Sequence, residues 1–439
     1  MIDKIIKKKY CRIELITFSS ISIGSGSNIS TDQDIIRNSL GKPYIPASAI
    51  AGVMREALKN EIDYKEYFGE IIINTSASDE TEAIESPLVF YDGVLSGDSV
   101  YKTSIRDNVS LDDYKYAISG AKFDREIVEP GVTFVTCVEQ SFYDDKQKDY
   151  IRLIEECFNQ GGICFGSKTT RGYGAVKVGS IYEVEFDLRD VEDVKRWIAF
   201  NLDEFVLKRD SKIGTRIELE SGRRHLRVLE LELELVSGIL IRKPTTKISE
   251  DGGNLPDIEQ MTVFMDEEEK PVIPGTTWSG AFRHRMKEYG INTNSDASIF
   301  GYVSNGSTES NIKNQKSKLC FSESYISGSK AKVISRNAID RFSGGTKDGA
   351  LFTEKLYYGG GTSLKLTWYG NKMNEKDMKA LAATLTDLHF GFLAIGGETS
   401  IGRGLFRINK VGDDRIKELP DEEVYGKIFD AVKEVFGNE

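Results

Sequence analysis

The segment Gly41–Arg55 reads GKPYIPASAIAGVMR, and Glu269–Arg283 reads EKPVIPGTTWSGAFR. Lys, Pro, Ile, Pro, Gly and Arg stand at matching places, 228 positions apart (270 − 42). The match extends outward in order. YFG ending at Gly69 meets IFG ending at Gly301, and LVFYDGVL from Leu88 meets LCFSESYI from Leu319. GAKF from Gly120 meets GALF from Gly349, and FGSKTTRGYGAVKV from Phe165 meets IGGETSIGRGLFRI from Ile395. An internal repeat of this length constrains the fold to two copies of one architecture. The expected organisation is a first unit over 1–180, a helical linker over 181–226, a second unit over 227–412 and a C-terminal helix over 413–439.

Each unit opens on an alternating strand, CRIELITFSSISIG in the first and LRVLELELELVSGILI in the second. A polar loop, the Pro-bounded turn and a helix follow. In the first unit Ser48 is placed to cap that helix, whose Ile50, Val53, Met54, Ala57 and Leu58 share one apolar face. Strands around Leu88 and Val132 flank a long polar excursion, and a second helix leads through the Gly-rich segment into a last strand. Strand–helix–strand–strand–helix–strand predicts an α+β fold: two tandem ferredoxin-like (RRM-like, split βαβ) domains with long hairpin insertions.

A length of 439 residues fits two cores better than one, and the hydrophobic fraction of 39% suffices for both. No run approaches the ~20 apolar residues that span a bilayer, so no membrane partner is expected. The N-terminal stretch lacks the apolar block of a secretion signal. Five cysteines, with no C-x-x-C pair, predict reduced thiols in a cytoplasmic protein rather than disulfides or a zinc ribbon. Three scattered histidines argue against a His-based metal centre. The net charge of −11 opposes nonspecific adhesion to nucleic acid, so any RNA-binding reading rests on where the cations lie.

Three features carry candidate chemistry. The Gly-rich segment Gly166–Gly174 sets Lys168 and Arg171 among glycines that allow close approach of backbone, and it returns as Gly396–Gly404 with Arg403. A plain hairpin turn is the alternative. The Pro–helix segment offers helix N-terminal N–H groups, with Arg55 and Arg283 about two turns in; a structural helix with a solvated arginine is the alternative. The excursion over 101–131 interleaves cations, including Arg106, with rings such as Phe123, and its counterpart carries Arg336. Cations that track a strand and rings that stack on bases are the means of single-stranded RNA binding.

Taken together, these marks resemble the RAMP superfamily of CRISPR-associated proteins, and within it the repeated backbone subunits of type III effector complexes. The resemblance rests on the IGSG turn (Ile23–Gly26), KPYIPASAIAGVMR, the FG, IRDNVSLD followed by GAKFDREIVEPGVTF, and GSKTTRGYGAV. The second unit lacks the IGSG turn. The resemblance implies a palm that holds a crRNA guide, and a hairpin thumb, here about 100–122, that intrudes into the guide–target duplex. It implies RNA contacts at Ser48, Arg55, Arg106, Lys168 and Arg171, and in the second unit at Thr276, Arg283, Arg336 and Arg403. The implied partners are the crRNA, complementary target RNA and other CRISPR effector subunits.

In catalytic members an aspartate in the loop before the Pro–helix segment cuts target RNA with Mg²⁺ or another divalent cation. That loop, SNISTDQDIIRNSLGKP, offers Asp32 in preference to Asp34, as catalytic residue and metal ligand. The counterpart loop offers Asp257, while counting back from Asp266 puts Gln260 at the equivalent place. An Asx-turn aspartate is the structural alternative for Asp32. Two other functions stand beside target cleavage: a non-catalytic structural or capping subunit, and a guide-precursor-processing endoribonuclease.

Overall fold

The first half of the chain builds its sheet from β1 (Lys7–Thr17), β2 (Leu88–Phe90), β5 (Thr133–Phe142) and β6 (Val176–Asp187). Helix α1 (Ala47–Leu58) follows β1, the hairpin β3 (Thr103–Leu111) and β4 (Ala117–Val128) precedes β5, and α2 (Tyr150–Gln160) precedes β6. All pairings in this sheet are antiparallel and the order is β6–β1–β5–β2, the ferredoxin-like arrangement. The structure is a computed structural model; it describes residues 4–26, 29–58, 67–72, 82–97, 99–112, 116–160, 162–208, 214–217, 227–243, 258–265, 268–293, 298–302 and 315–438.

Both faces of the first sheet are covered. On one, Ile50, Met54 and Leu58 of α1 and Ile151 and Ile154 of α2 join Ile13, Leu15, Phe134 and Val138. On the other, α3 (Val191–Ile198) and α4 (Leu202–Leu207) follow β6, and Phe205 and Val206 cover Tyr10, Val135, Cys137, Val184 and Phe186. Arg12 lies within this layer, where its Nε donates to the Val206 carbonyl at the end of α4 (3.0 Å) and its Nη2 reaches Glu14 (3.0 Å). The guanidinium thereby satisfies one of the carbonyls a helix end leaves without a partner.

The second half repeats the order with β7 (Arg227–Leu235), α5 (Gly275–Glu288), β8 (Leu319–Phe321), the hairpin β9 (Lys330–Ile339) and β10 (Thr346–Tyr358), β11 (Gly361–Trp368), α6 (Glu375–Phe390) and β12 (Phe406–Val411). Its sheet runs β12–β7–β11–β8. Strict alternation in RVLELELEL splits β7 cleanly. Leu229, Leu231, Leu233 and Leu235 enter the core with Trp278, Phe282, Leu385 and Phe406. Glu230, Glu232 and Glu234 turn the other way and pair with Lys365 (3.5 Å), Lys410 (2.8 Å) and Lys417 (2.6 Å). The terminal helix α7 (Asp421–Phe436) adds Val424, Ile428, Val432 and Phe436 to the same core. Each such buried side chain contributes about 1.5–3 kcal/mol.

The copies agree down to single hydrogen bonds. Gly174 N–H donates to the Ser20 carbonyl (2.7 Å), and Gly404 N–H to that of Gly238 (2.8 Å). A Cβ on Gly174 would lie 1.8 Å from the Phe165 oxygen, and one on Gly404 would lie 1.9 Å from the Ile395 oxygen. No other residue fits either place.

By packing, the chain divides into unit 1 (Met1–Ser104, Glu126–Ser167, Gly174–His225) and unit 2 (Ile105–Arg125, Lys168–Tyr173, Leu226–Glu439). The outer part of the first hairpin and the tip of the first Gly-rich segment thus belong to unit 2. Among the described residues no helix is long and apolar enough to cross a membrane.

One local expectation is corrected. Helix α1 starts at Ala47, whose N–H is taken by the Asp92 carboxylate (2.7 Å), so Ser48 stands exposed inside the first turn rather than at the cap. A carboxylate from a neighbouring strand end does the capping and is favoured there by the helix dipole.

Candidate functional site

Unit 2 contains a group of cations at the first Gly-rich segment. Residues Thr169–Arg171 form one 3-10 turn between Lys168, which is left-handed (φ 56°), and Gly172 (φ 86°). Two glycines let this turn lie against its neighbours: a Cβ on Gly172 would meet the Glu323 nitrogen at 2.4 Å, and one on Gly275 would meet the Arg171 oxygen at 2.3 Å. The turn therefore sits at the start of α5. The Lys168 ammonium lies 5.0 Å from the Phe123 ring centroid, and the Arg125 guanidinium lies 6.0 Å from the same ring.

These cations disfavour one another. Burial lowers the Lys168 pKa to about 8, helped by the charges of Arg171 and Arg125. Arg171 is also lowered, by burial and then by Arg283. Burial lowers Arg125 as well. Among the described residues no carboxylate ion-pairs with Lys168 or Arg171. A half-buried cluster of one sign is stabilised by whatever anion enters it. The structure thus brings together Lys168, Arg171 and Arg283, three of the residues the sequence pointed to. It adds Arg125, which sequence reasoning missed, and gives Phe123 a definite place. Arg283 also donates to the Thr293 carbonyl (2.8 Å), and Thr276 is half-buried in the first turn of α5, whose N-cap, Pro274, offers no side-chain bond.

The second copy has the same backbone and the opposite charge. Glu398 takes the position of Lys168 with the same left-handed φ of 56°, and a 3-10 turn again follows, over Thr399–Ile401. Glu354 stands where the first copy has Arg125, both five residues past the hairpin glycine (Gly349, Gly120). Arg336 and Arg403, expected on RNA, are instead held by these carboxylates. Arg336 lies 3.0 Å from Glu398 and 3.2 Å from Glu354; Arg403 lies 2.9 Å from Glu398 and 2.8 Å from Glu354. Burial, then a hydrogen bond to Glu398 and its charge, raises the pKa of Glu354.

Arg106 is likewise not presented to solvent. It is 3% exposed, ion-paired with buried Glu323 and 3.4 Å from the Tyr173 hydroxyl, while Tyr325 donates to the other Glu323 oxygen (2.9 Å). Burial opposes its charge, yet the Glu323 carboxylate raises its pKa overall. Its place is structural because the pair is sealed within unit 2.

In unit 1, Asp32 is exposed on the loop after β1, and Arg55 is exposed on α1. The Asx-turn role falls to Asp34. Its carboxylate accepts from the backbone N–H of Ile29 (2.8 Å), Ser30 (3.1 Å) and Thr31 (2.9 Å) and from the Thr31 hydroxyl (2.8 Å). The Ser30 N–H and the Thr31 hydroxyl lead in lowering its pKa.

Bridge pairings also reset the register of the second loop. Gly24 pairs with Ile35 in the first copy, and Arg242 with Gln260 in the second. Gln260 therefore matches Ile35, not Asp32. It is buried, accepting from Ile241 N–H (2.5 Å) and donating to the Met261 (2.8 Å) and Val272 (3.1 Å) carbonyls. In the sequence Asp32 and Asp257 each stand three positions before the bridge residue; Asp257 lies outside the described residues.

A divalent cation at Asp32 fits the donor chemistry in one way. Asp34 is saturated with donors and cannot join it, which leaves Asp32 as the exposed carboxylate among the described residues of this loop. Mg²⁺ suits such a place because it keeps several waters and takes further oxygens from substrate phosphates. Among the described residues, the groups close enough to share an ion are Cys11, Glu155 and Glu183. Lys9 already pairs with Glu183 there (2.5 Å), and burial followed by Glu183 raises the Glu155 pKa. That cluster is a counter-charged interior group.

The chain matches the family model of the RAMP superfamily over residues 14–177 and 232–407. No curated protein matches it. Two solved structures that resemble it are chains of Type III-B Cmr-beta, both determined by cryo-electron microscopy. One, in the apo state, is 13% identical, covers 39% of this chain and 96% of its own, and has a TM-score of 0.31. The other, bound to cognate target RNA, is 19% identical, covers 40% of this chain and 61% of its own, also with a TM-score of 0.31.

Proposed function

The chain belongs to the RAMP superfamily, and we propose that it is a crRNA-binding backbone subunit of a type III CRISPR effector complex that cleaves the bound target RNA at Asp32 with a divalent cation. The observation that carries the RNA-binding part is the cluster of Lys168, Arg171, Arg125 and Arg283 beside Phe123. A ribonucleotide strand supplies phosphate for Lys168 and Arg171, which ion-pair with no carboxylate among the described residues, and a base for the ring. Placing the cations locally also reconciles RNA binding with a net charge of −11.

Binding of a short single-stranded RNA to the full-length chain, measured over a salt series, tests the reading. Arg171→Gln is expected to weaken binding about tenfold and to flatten the salt slope by ~0.7, the value for one lost contact to a single strand. Unchanged affinity and slope for both Arg171→Gln and Lys168→Asn would remove the proposal.

Lys168 adds a pH dependence whose sign follows from its lowered pKa of about 8. The ammonium must be protonated to hold phosphate, so affinity is full near neutrality and declines as pH rises through that value. Between ~pH 7 and ~pH 9 the expected loss is about tenfold, and Lys168→Arg is expected to abolish it.

Lys168→Asn separates binding from folding. Asn tolerates the left-handed backbone that costs Lys about 1 kcal/mol, and the variant also relieves the repulsion from Arg171 and Arg125. Its melting temperature is expected to rise by about 2–4 °C while RNA affinity falls. A melting temperature below that of the wild type would contradict this account of Lys168.

A further inference from the structure

In the first copy Arg125 and Lys168 lie over Phe123; in the second, Glu354 and Glu398 hold the matching sequence positions. Two cations have become two carboxylates on an unchanged backbone, with φ of 56° at both Lys168 and Glu398. The second copy then supplies two arginines of its own. Arg336 comes from the hairpin, and Arg403 from the place Tyr173 holds in the first copy. All four charges meet within 2.8 to 3.2 Å. Glu354 is fully buried and Arg403 is 6% exposed, so a polyanion has no access to the centre of the group.

We infer that Glu398 and Glu354 act as built-in counter-ions that close the second Gly-rich loop to RNA, so that the chain grips its guide through the first Gly-rich loop alone. The inference rests on the RNA-binding reading above and adds an asymmetry to it. Left-handed geometry at the loop is a requirement of the fold, shared by both copies; the identity of the side chain there decides whether the loop binds. In the first copy Lys168 and Arg171 ion-pair with no carboxylate among the described residues, so an incoming anion is their counter-charge. In the second it is already present, and a phosphate would have to displace carboxylates bound by two arginines. The duplicated architecture is kept while one of its two grips is withdrawn.

Three variants and one measurement on the unaltered protein test this with a short single-stranded RNA. Arg336→Gln is expected to change the dissociation constant less than twofold and leave the salt slope intact, whereas Lys168→Gln raises the constant about tenfold. Glu398→Gln removes one internal counter-ion from a partly exposed place, and is expected to tighten binding several-fold with a steeper salt slope. Melting curves confirm that each variant is folded. In the wild type, RNA is expected to protect Arg171 from phenylglyoxal and leave the rate at Arg336 unchanged. Protection of Arg336, a loss in Arg336→Gln as large as that in Lys168→Gln, or no gain in Glu398→Gln would overturn the inference while leaving the RNA reading in place. A Lys168→Gln variant that binds like wild type, with neither arginine protected, would overturn both.

Discussion

Replacing Arg106 by Ala is expected to destabilise the fold by about 3–5 kcal/mol, because a buried carboxylate then loses the charge that offsets its desolvation. Glu323 is 6% exposed and Arg106 3%, so water cannot take over the role of the missing guanidinium. The same arginine lies 5.4 Å from the Tyr173 ring, and that tyrosine closes the turn that carries Lys168 and Arg171. For unit 2, the melting temperature is expected to fall on the order of 10 °C. Two further results distinguish an internal tie from an RNA contact. Arg106→Met combined with Glu323→Leu removes both charges, and is expected to recover most of the loss, as apolar replacement of buried pairs often does. Below its melting point Arg106→Ala is expected to bind RNA within about twofold of wild type, far from the roughly tenfold effect of losing a phosphate contact. Thermal unfolding and RNA titration of the same preparations check both, and an Arg106→Ala protein that melts like wild type would refute the account.

The contrast between Arg106 and Lys168 shows what the sequence could and could not reveal. The duplication was legible because glycines, prolines and aromatic residues return in fixed order, and each return implies the same backbone. From that, the order of strands and helices in both halves follows, as does the one-sided alternation of Leu229 to Leu235 against Glu230 to Glu234. Charge pairing was not legible. Arg106 and Glu323 stand 217 positions apart, and nothing in the neighbourhood of either announces the other. Arg336 and Arg403 read as a basic hairpin and a basic loop until Glu354 and Glu398 are seen between them. Arg125 passed unnoticed for the complementary reason: it looks like an ordinary hairpin cation until its counterpart proves to be a buried glutamate. Counting failed at Gln260 because the polar loops of the two copies differ in length. The bridge pairings, rather than a count back from the helix, set the register that equates Gln260 with Ile35.

That register leads to the largest functional effect expected here. Asp32→Asn is expected to reduce cleavage of bound target RNA by about 10²–10⁴-fold, the usual range for loss of a positioned acid–base group, while guide and target affinity stay within about twofold. The substitution preserves size and removes only the charge. Asp34 organises the loop through four bonds from Ile29, Ser30 and Thr31, and Glu126 braces the next residues by accepting from Ile35 N–H (3.1 Å). Asp32 is exposed on the same loop. Asp34→Asn supplies the contrast. It turns an amide donor towards backbone donors, so stability and cleavage are expected to decline together, with a melting shift that Asp32→Asn lacks. Omission of the divalent cation should mimic Asp32→Asn in rate and leave binding intact. Mapping cut sites in the assembled complex completes the test: Asp32→Asn should erase one set of cuts, and Asp257→Asn a second set if both loops act. Should Asp32→Asn weaken RNA binding as much as cleavage, or leave cleavage at the wild-type rate, the carboxylate belongs to the loop and the cutting group lies elsewhere.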